Sequence, residues 1–341
     1  MIGDEKPDER DDPCVLWLTP DKPANISVGR RRIADRLEAS GFDVTLRGTT
    51  PRTVCQSLRK HEEYDAVLGT TRSGAFAGSL LKLLGTPFVV DHIDPIRQFA
   101  DTNPQPLSIA VRAAENLAFR LADHTLYVYD EEHERVSRYA RETTKTGLGV
   151  SYERFATPDP EIVAAANDRL HEAGVDADER LAIYVGGLEP IYHIQELLAA
   201  MDRLQEWTLV VLGTGSLAPA VEHAAGEREN VVFLGTVAHE SIPGYLHAAD
   251  VGVSLVDDPH TLKVLEYAAA GLSVVQARGR AEARFGEYAE FCEPRPPEIA
   301  AAIEHAGERE GDDSFREYVA RFDYERVAET YRAVLDEIVR K

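Results

Sequence analysis

The chain has 341 residues and carries 59 acidic against 37 basic side chains, a net charge of −22. That size exceeds what one hydrophobic core usually serves, so two domains are expected, and the acidic balance excludes broad nucleic-acid binding, which needs clustered Lys and Arg. No apolar run approaches the roughly 20 residues that cross a bilayer, and the first stretch, MIGDEKPDERDD, is acidic where a signal peptide is basic, so a soluble, cytoplasmic protein is expected. Cys14, Cys55 and Cys292 are odd in number and far apart, each in or beside an apolar run, which predicts buried free thiols.

Residues 1–12 read as a disordered tail. The run from Cys14 to Leu18 predicts a buried strand, followed by a loop with Pro20, Pro23, Asn25, Ser27 and Gly29 and a helix over about Arg30–Ala39. Strands at Asp43–Leu46, Ala66–Leu68, Pro87–Val90 and Thr125–Val128 then alternate with helices at Val54–Arg59, Gly74–Leu84, about Leu107–Leu121 and Glu131–Tyr139, and a short strand follows near Lys145–Leu148. Such alternation predicts an α/β fold with a doubly wound parallel sheet. The expected first domain is 13–157, with Pro158 and Pro160 marking a linker.

Beyond the linker the pattern repeats. Strands are expected at Leu181–Val185, Thr208–Leu212 and Val231–Leu234, with Gly186-Gly187 and Gly213-Thr214-Gly215-Ser216 as turns and helices at Ile191–Met201 and around Ile242–His247. Next comes Asp250–Val275, in which a short apolar run, two acids, Pro259-His260, a helical pattern with Lys263 and Glu266, and Gly271 precede another apolar run. Strand, polar loop, helix and strand is how an α/β protein builds a ligand site. The second domain is expected over 158–320, with amphipathic helices at about Glu298–Glu308 and Tyr324–Lys341. The net charge is −3 over residues 1–150 and −19 over 151–341, and only 7 of the 37 basic residues are lysine, a bias similar to haloarchaeal proteins.

The series Asn25 to Ala34, Gly147-Leu148-Gly149-Val150 with Phe155, Tyr184-Val185-Gly186-Gly187-Leu188, Leu212-Gly213-Thr214-Gly215, Phe233-Leu234-Gly235 and Leu262 to Val275 resembles, in order and through nearly the whole chain, family 4 retaining glycosyltransferases of the GT-B fold. The resemblance implies two Rossmann-like domains facing a cleft, a nucleotide-sugar donor on the C-terminal domain and a glycan or lipid-linked acceptor on the N-terminal one. It also implies that a final helix, 321–341, packs back on the first domain. The implied reaction is front-face transfer, in which the departing diphosphate helps take the acceptor proton. It calls for no obligatory metal or other cofactor, the nucleotide-sugar being a substrate.

Carried onto this sequence, the family's acidic pair becomes Asp258 near the sugar and Glu266 on the ribose hydroxyls, the first an Asp where Glu is usual. The amides of Thr261 and Leu262 would form the phosphate site at a helix N-terminus, with Lys263 adding a point charge. The residues alone also suit a capped surface helix in which Lys263 and Glu266 are a solvated pair. Gly213 and Gly215 would let the backbone approach the nucleotide. The family's Arg and Lys after the first strand of the second domain are replaced by Gly187 and Tyr192, with His193 next. Two phosphate-binding cations are therefore missing, for which Lys263, Arg30, Arg278 or Arg280 could compensate. A non-catalytic nucleotide- or sugar-binding regulatory or scaffold protein is the alternative.

On the first domain, Ser27 and Gly29 with Arg30 lie where the family approaches donor phosphates or acceptor. Asp94 and His92, after a buried strand, are acceptor-side candidates, although a lone His is more often structural. Arg30 to Arg32, Arg52, Arg59 and Lys60 are available to meet an anionic bilayer, so a peripheral contact on the cytoplasmic face of a membrane is a further expectation.

Overall fold

The computed structural model describes residues 12–20, 27–309 and 313–340. The expected tail at 1–12 lies outside these residues but for Asp12, as do Asn25 and Ile26 of the first motif. The chain divides into two compact units, the first formed by residues up to Gly149 together with Tyr324–Lys341, the second by Val150–Asp323.

The first unit holds strands β1 (Cys14–Thr19), β2 (Asp43–Gly48), β3 (Ala66–Thr70), β4 (Phe88–His92), β5 (His124–Tyr127) and β6 (Thr143–Lys145) in one sheet of order β2-β1-β3-β4-β5-β6. Every pairing is parallel. β1, β3 and β4 are buried along their whole length, which is why they read as continuous apolar runs rather than alternating ones. Ile33, Ala34 and Leu37 of the helix Val28–Ala39 meet Val327, Tyr331, Val334, Leu335 and Ile338 of the final helix Tyr324–Val339 in one core. The three-to-four-residue spacing of that last set gives the final helix one apolar stripe, and the first unit covers it.

The second unit holds β7 (Arg180–Gly187), β8 (Trp207–Thr214), β9 (Val231–Gly235), β10 (Val251–Ser254), β11 (Ser273–Ala277) and β12 (Glu290–Cys292), ordered β12-β11-β10-β7-β8-β9 and again parallel throughout. The chain builds outward from β7 to β9, then returns to the other side of β7 with β10. Ligands of open α/β sheets bind at such a reversal, outside the carboxyl ends of the strands. β7 and β10 frame it here, and β1 and β3 frame its counterpart in the first unit.

The structure departs from the sequence reading in places with physical reasons. Pro104 splits the segment after β4 into two helices, Ile96–Thr102 and Gln105–Leu121, where one loop and one helix were expected. The first unit ends at Gly149 because the Val150 amide bonds the Phe322 carbonyl and Phe155 is buried in the core of the second. β12 escapes a hydrophobic reading because only Cys292 of its three residues is fully buried. All three cysteines are free thiols; Cys14 and Cys292 are buried, whereas Cys55 is exposed on the helix Pro51–Arg59.

Candidate functional site

The loop after β10 is held by three outside side chains. Asp257 accepts from the Arg280 amide at 2.6 Å and from its guanidinium Nε at 2.9 Å, which ties this loop to the one leaving β11. Gln276, fully buried in β11, donates to the carbonyls of Val256 and Asp258 at 3.3 and 3.1 Å. Arg284 donates to the Pro259 carbonyl and meets His260 Nδ1 at 2.8 Å. Asp258 uses one carboxylate oxygen to accept from the His260 amide at 2.9 Å, an Asx turn that bends the loop into the following helix. The loop is thus preorganised.

That helix, Leu262–Ala270, has Thr261 as its N-cap with no side-chain cap bond. The Thr261 amide bonds back to the Asp258 carbonyl at 3.4 Å. The first-turn amides from Leu262 onward have no carbonyl a turn earlier to receive them, which gives the helix start its affinity for anions. Leu262 is 42% exposed there. Gly271 closes the helix at φ +88°, a left-handed cap that suits glycine.

Lys263 leans from this helix across to the end of β7. Its Nζ lies 3.1 Å from Tyr184 Oη, which itself donates to the Gly187 carbonyl at 2.6 Å. The ammonium sits 4.3 Å from the Tyr184 ring centre and 4.5 Å from that of Tyr192, within cation–π range of both. A Cβ on Gly186 would stand 2.7 Å from Nζ, so the missing side chain is what admits the lysine. Burial pulls the Lys263 pKa down to about 8, against the opposing charge of Glu266. Glu266 lies three residues on, on the neighbouring turn of the same helix. Lys263 therefore occupies the strand end beside Gly187 and Tyr192, where the expected cation pair is absent.

Gly213 and Gly215 answer first to packing. Gly213, at φ +151°, lies against the Gly186 carbonyl, and Gly215 lies against the Leu188 carbonyl, with no room for a Cβ at either. Glu189 pins the same turn by accepting from the Ser216 amide at 3.0 Å and from its hydroxyl. Next to it, His193 adopts φ +53° and Ile191 is 67% exposed. Asp258, Lys263, Glu266, Gly187, Gly213, Gly215, Thr261 and Leu262 all belong to the carboxyl-end loops of this one sheet and the helix starts beside them.

The first-unit candidates separate into two places. Ser27 accepts from Arg30 Nη1 at 2.9 Å at the start of the helix Val28–Ala39. Gly29 gives room to Tyr324, whose hydroxyl would stand 3.0 Å from a Cβ there. Asp91, wholly buried, accepts from Thr70 Oγ1 and Tyr331 Oη, each at 2.7 Å, and Trp17 Nε1 donates to Thr70 at 2.7 Å. Burial pushes the Asp91 carboxyl up, opposed by the Arg30 charge and by those two bonds.

His92 lies elsewhere, 3% exposed, with Nε2 3.1 Å from Glu132 and 3.2 Å from Arg135. Arg135 also bonds Glu115 at 2.8 Å, and Arg72 closes the chain onto Glu115 at 2.9 Å. This buried network of two carboxylates, two guanidiniums and one imidazole is an internal brace. Asp94 is partly exposed at its edge, with its carbonyl facing Arg72 at 3.5 Å.

Sequence reasoning quoted Tyr184 and Gly186 in a motif without giving either a role, and passed over Gln276 and Arg284. Only Gln276 left a signal, a polar residue within the apolar run of β11.

Comparison with known proteins places this geometry. Residues 179–308, most of the second unit, match the sequence profile of the family described as Glycosyl transferases group 1. No curated protein matches the sequence. Among solved structures, HepE of Anabaena in complex with UDP and glucose superposes with a TM-score of 0.72 at 17% identity, over 95% of this chain and 99% of that one. Sucrose-phosphate synthase of Thermosynechococcus elongatus gives 0.73 at 17% identity over 96% and 99%. An E. coli structure described as trehalose-6-phosphate bound with UDP-2-fluoro glucose gives 0.68 at 12% identity over 94% and 98%. The chain carries a glycosyl transferases group 1 domain over 179–308, and its two six-stranded parallel sheets have the GT-B architecture of those glycosyltransferases.

Proposed function

We propose that the chain is a retaining glycosyltransferase that moves a sugar from a nucleotide-sugar donor to a glycan or lipid-linked acceptor. The observation that carries this reading is the placement of Lys263 and Glu266 on adjacent turns of one helix whose start opens between the carboxyl ends of β7 and β10. A cation, a set of first-turn amides and a carboxylate then stand in the order that a diphosphate and a ribose require.

In this reading Lys263 and the amides from Leu262 onward take the diphosphate, and Glu266 accepts from the ribose hydroxyls. Asp258, held by its Asx turn, turns its second carboxylate oxygen to the sugar. As the glycosidic bond to the leaving phosphate breaks, the growing negative charge falls on oxygens already faced by Lys263 and the helix start, which lowers the barrier without later reorganisation. The departing oxygen takes the acceptor's proton as the new bond forms on the same face, retaining the anomeric configuration. Ser27 and Arg30 are assigned to the acceptor side, and Gly29 to the donor phosphates. The buried brace around His92 positions the segment that carries Asp94.

Titration of the full chain with UDP and a panel of nucleotide sugars, followed by turnover assays and NMR of the product anomer, tests this reading. A bound donor and a transferred sugar of unchanged configuration are expected. Silence across the panel, with no shift in melting temperature, overturns it. Binding without turnover under any acceptor assigns the chain instead to a non-catalytic nucleotide- or sugar-binding role, which the absence of cations at Gly187 and Tyr192 would favour.

A further inference from the structure

Nine large apolar side chains are strongly exposed among the described residues, and six of them lie on two helices of the first unit. Leu107, Ile109 and Leu117 belong to the helix Gln105–Leu121, while Leu80, Leu83 and Leu84 lie on or just past the end of the helix Thr71–Leu83. Lys82 in the last turn of one bonds Asp123, just beyond the last turn of the other, at 2.6–2.7 Å, so these two ends are neighbours. Ile109 is 61% exposed, Leu117 55% and Leu83 69%.

The charge on this face is opposite to that of the protein. On the helix Gln105–Leu121 the exposed side chains are Gln105, Pro106, Leu107, Ile109, Ala110, Arg112, Ala113, Leu117 and Arg120. Its one acid, Glu115, is buried between Arg72 and Arg135. The helix Thr71–Leu83 contains no acid. A chain of net charge −22 thus presents a long helical face with two arginines and no carboxylate. Pro106, Ile109, Ala110, Ala113 and Leu117 recur every three to four residues, so they form one stripe along the helix.

We propose that this face lies on a lipid bilayer with anionic headgroups. An apolar stripe flanked by arginines is how a helix rests in the interface plane, with the side chains in the acyl boundary and the guanidiniums at the headgroups. No described helix is long and apolar enough to cross a membrane, so the contact is peripheral. Charge complementarity favours this occupant over the same face of a second copy, which would set Arg112 and Arg120 against like charges. It also fixes the orientation, because other faces, rich in carboxylates, are repelled by the same headgroups. Apolar insertion survives salt that screens the arginines, so the contact does not depend on low ionic strength. The surface is distinct from the Arg30–Arg32 and Arg52–Lys60 segments that charge alone suggested.

The stripe starts next to the acceptor side. Leu107 and Ile109 lie in the first turns of a helix that follows the β4 carboxyl end and the segment carrying Asp94. The glycosyl acceptor is therefore a lipid held in that membrane, a step that rests on the glycosyltransferase reading, whereas the surface itself does not.

Co-sedimentation of the full chain with phosphatidylcholine vesicles, with and without about 30% phosphatidylglycerol, tests the surface. The wild type is expected to pellet with the anionic vesicles and to retain part of that binding in molar salt. The pair Ile109→Glu and Leu117→Glu, exposed and therefore neutral to the fold, is expected to lower the partition about ten-fold or more while melting temperature and donor binding stay unchanged. Arg112→Glu with Arg120→Glu should remove the preference for anionic over neutral vesicles. The proposal is overturned if the wild type stays in the supernatant, or if the apolar pair changes nothing. It is also overturned if the wild type is a dimer that the apolar pair dissociates, which would assign the face to a second copy. Vesicle binding together with silence in the donor titration would leave the surface standing and remove only the glycosyltransferase reading.

Discussion

Lys263 Nζ occupies the space that a side chain on Gly186 would fill, 2.7 Å from an ideal Cβ, and there it touches the Tyr184 hydroxyl and faces the Tyr192 ring. One lysine from the helix after β10 thus takes the strand end at which two cations were expected after β7. Lys263→Ala should weaken nucleoside-diphosphate binding by about ten- to a hundred-fold, as one charge-assisted phosphate contact contributes roughly 1.5–3 kcal/mol. Calorimetric titration with UDP measures it. Unchanged affinity would mean that the phosphates lie elsewhere.

Gly186→Ala tests the same relationship from the other side. The new methyl meets the ammonium, and the backbone at φ +146° disfavours any L side chain, at a cost of about 1–3 kcal/mol. Reduced stability together with reduced UDP affinity is expected. Loss of stability with full affinity would show that Lys263 can bind phosphate from another rotamer.

The lysine also predicts a pH dependence. Burial lowers its pKa from 10.5 to about 8 in the folded chain. Between about 8 and 10.5 the unfolded state holds the proton that the folded state has lost, so this group's contribution makes the protein more stable as pH rises through that window. Donor binding runs the other way, because the diphosphate needs the charged ammonium. UDP affinity should fall as pH rises from 7 to 9, and Lys263→Met should flatten both profiles.

Most of the strands were legible in the sequence, because strands buried on both faces cannot alternate and so stand out as apolar runs: Cys14–Leu18, Leu181–Val185 and Thr208–Leu212 all lie within strands. The candidate donor site was legible as far as its residues lie within one helix and its loop. Tyr184 was not, since within a strand its ring reads as core and only the tertiary fold reveals that its hydroxyl meets a lysine 79 positions on. The brace around His92 was hidden for the same reason. His92, Glu115 and Arg135 come from β4 and two helices, and no local spacing links them.

That brace yields a stability prediction. Glu132 is held down to about 2: burial alone would raise it, but its bond and attraction to His92, the Arg135 charge and the Ile96 amide outweigh that. Its folded pKa lies below the unfolded value, so its contribution is present above about 4.5 and is lost as pH falls toward 2. Glu132→Gln leaves Arg135 with one buried partner fewer and should cost about 3–5 kcal/mol in denaturant unfolding. The variant should also show a flatter acid limb than the wild type. A cost under about 1 kcal/mol would show the brace to be dispensable.

Within the first unit the final helix packs mainly through apolar side chains, joined by a buried bond from Tyr331 Oη to Asp91 Oδ1 at 2.7 Å and by an exposed ion pair between Arg36 and Glu325 at 3.0 Å. Tyr331→Phe keeps the ring against Trp17, 5.6 Å between centres, and deletes only the hydroxyl. Asp91 then keeps Thr70 as its hydroxyl donor and the Arg30 charge, in a site where burial already pushes its carboxyl up. A cost of about 1–3 kcal/mol is expected, with the Asp91 pKa rising further because a bond favouring the ionised form is gone. Hydrogen exchange along Tyr324–Val339 is the sensitive measurement: if the bond is what anchors the helix, its amides should exchange faster in the variant while those of β8 and β10 do not change. Uniform acceleration across both units would instead mark a global loss of stability and sink the anchoring role.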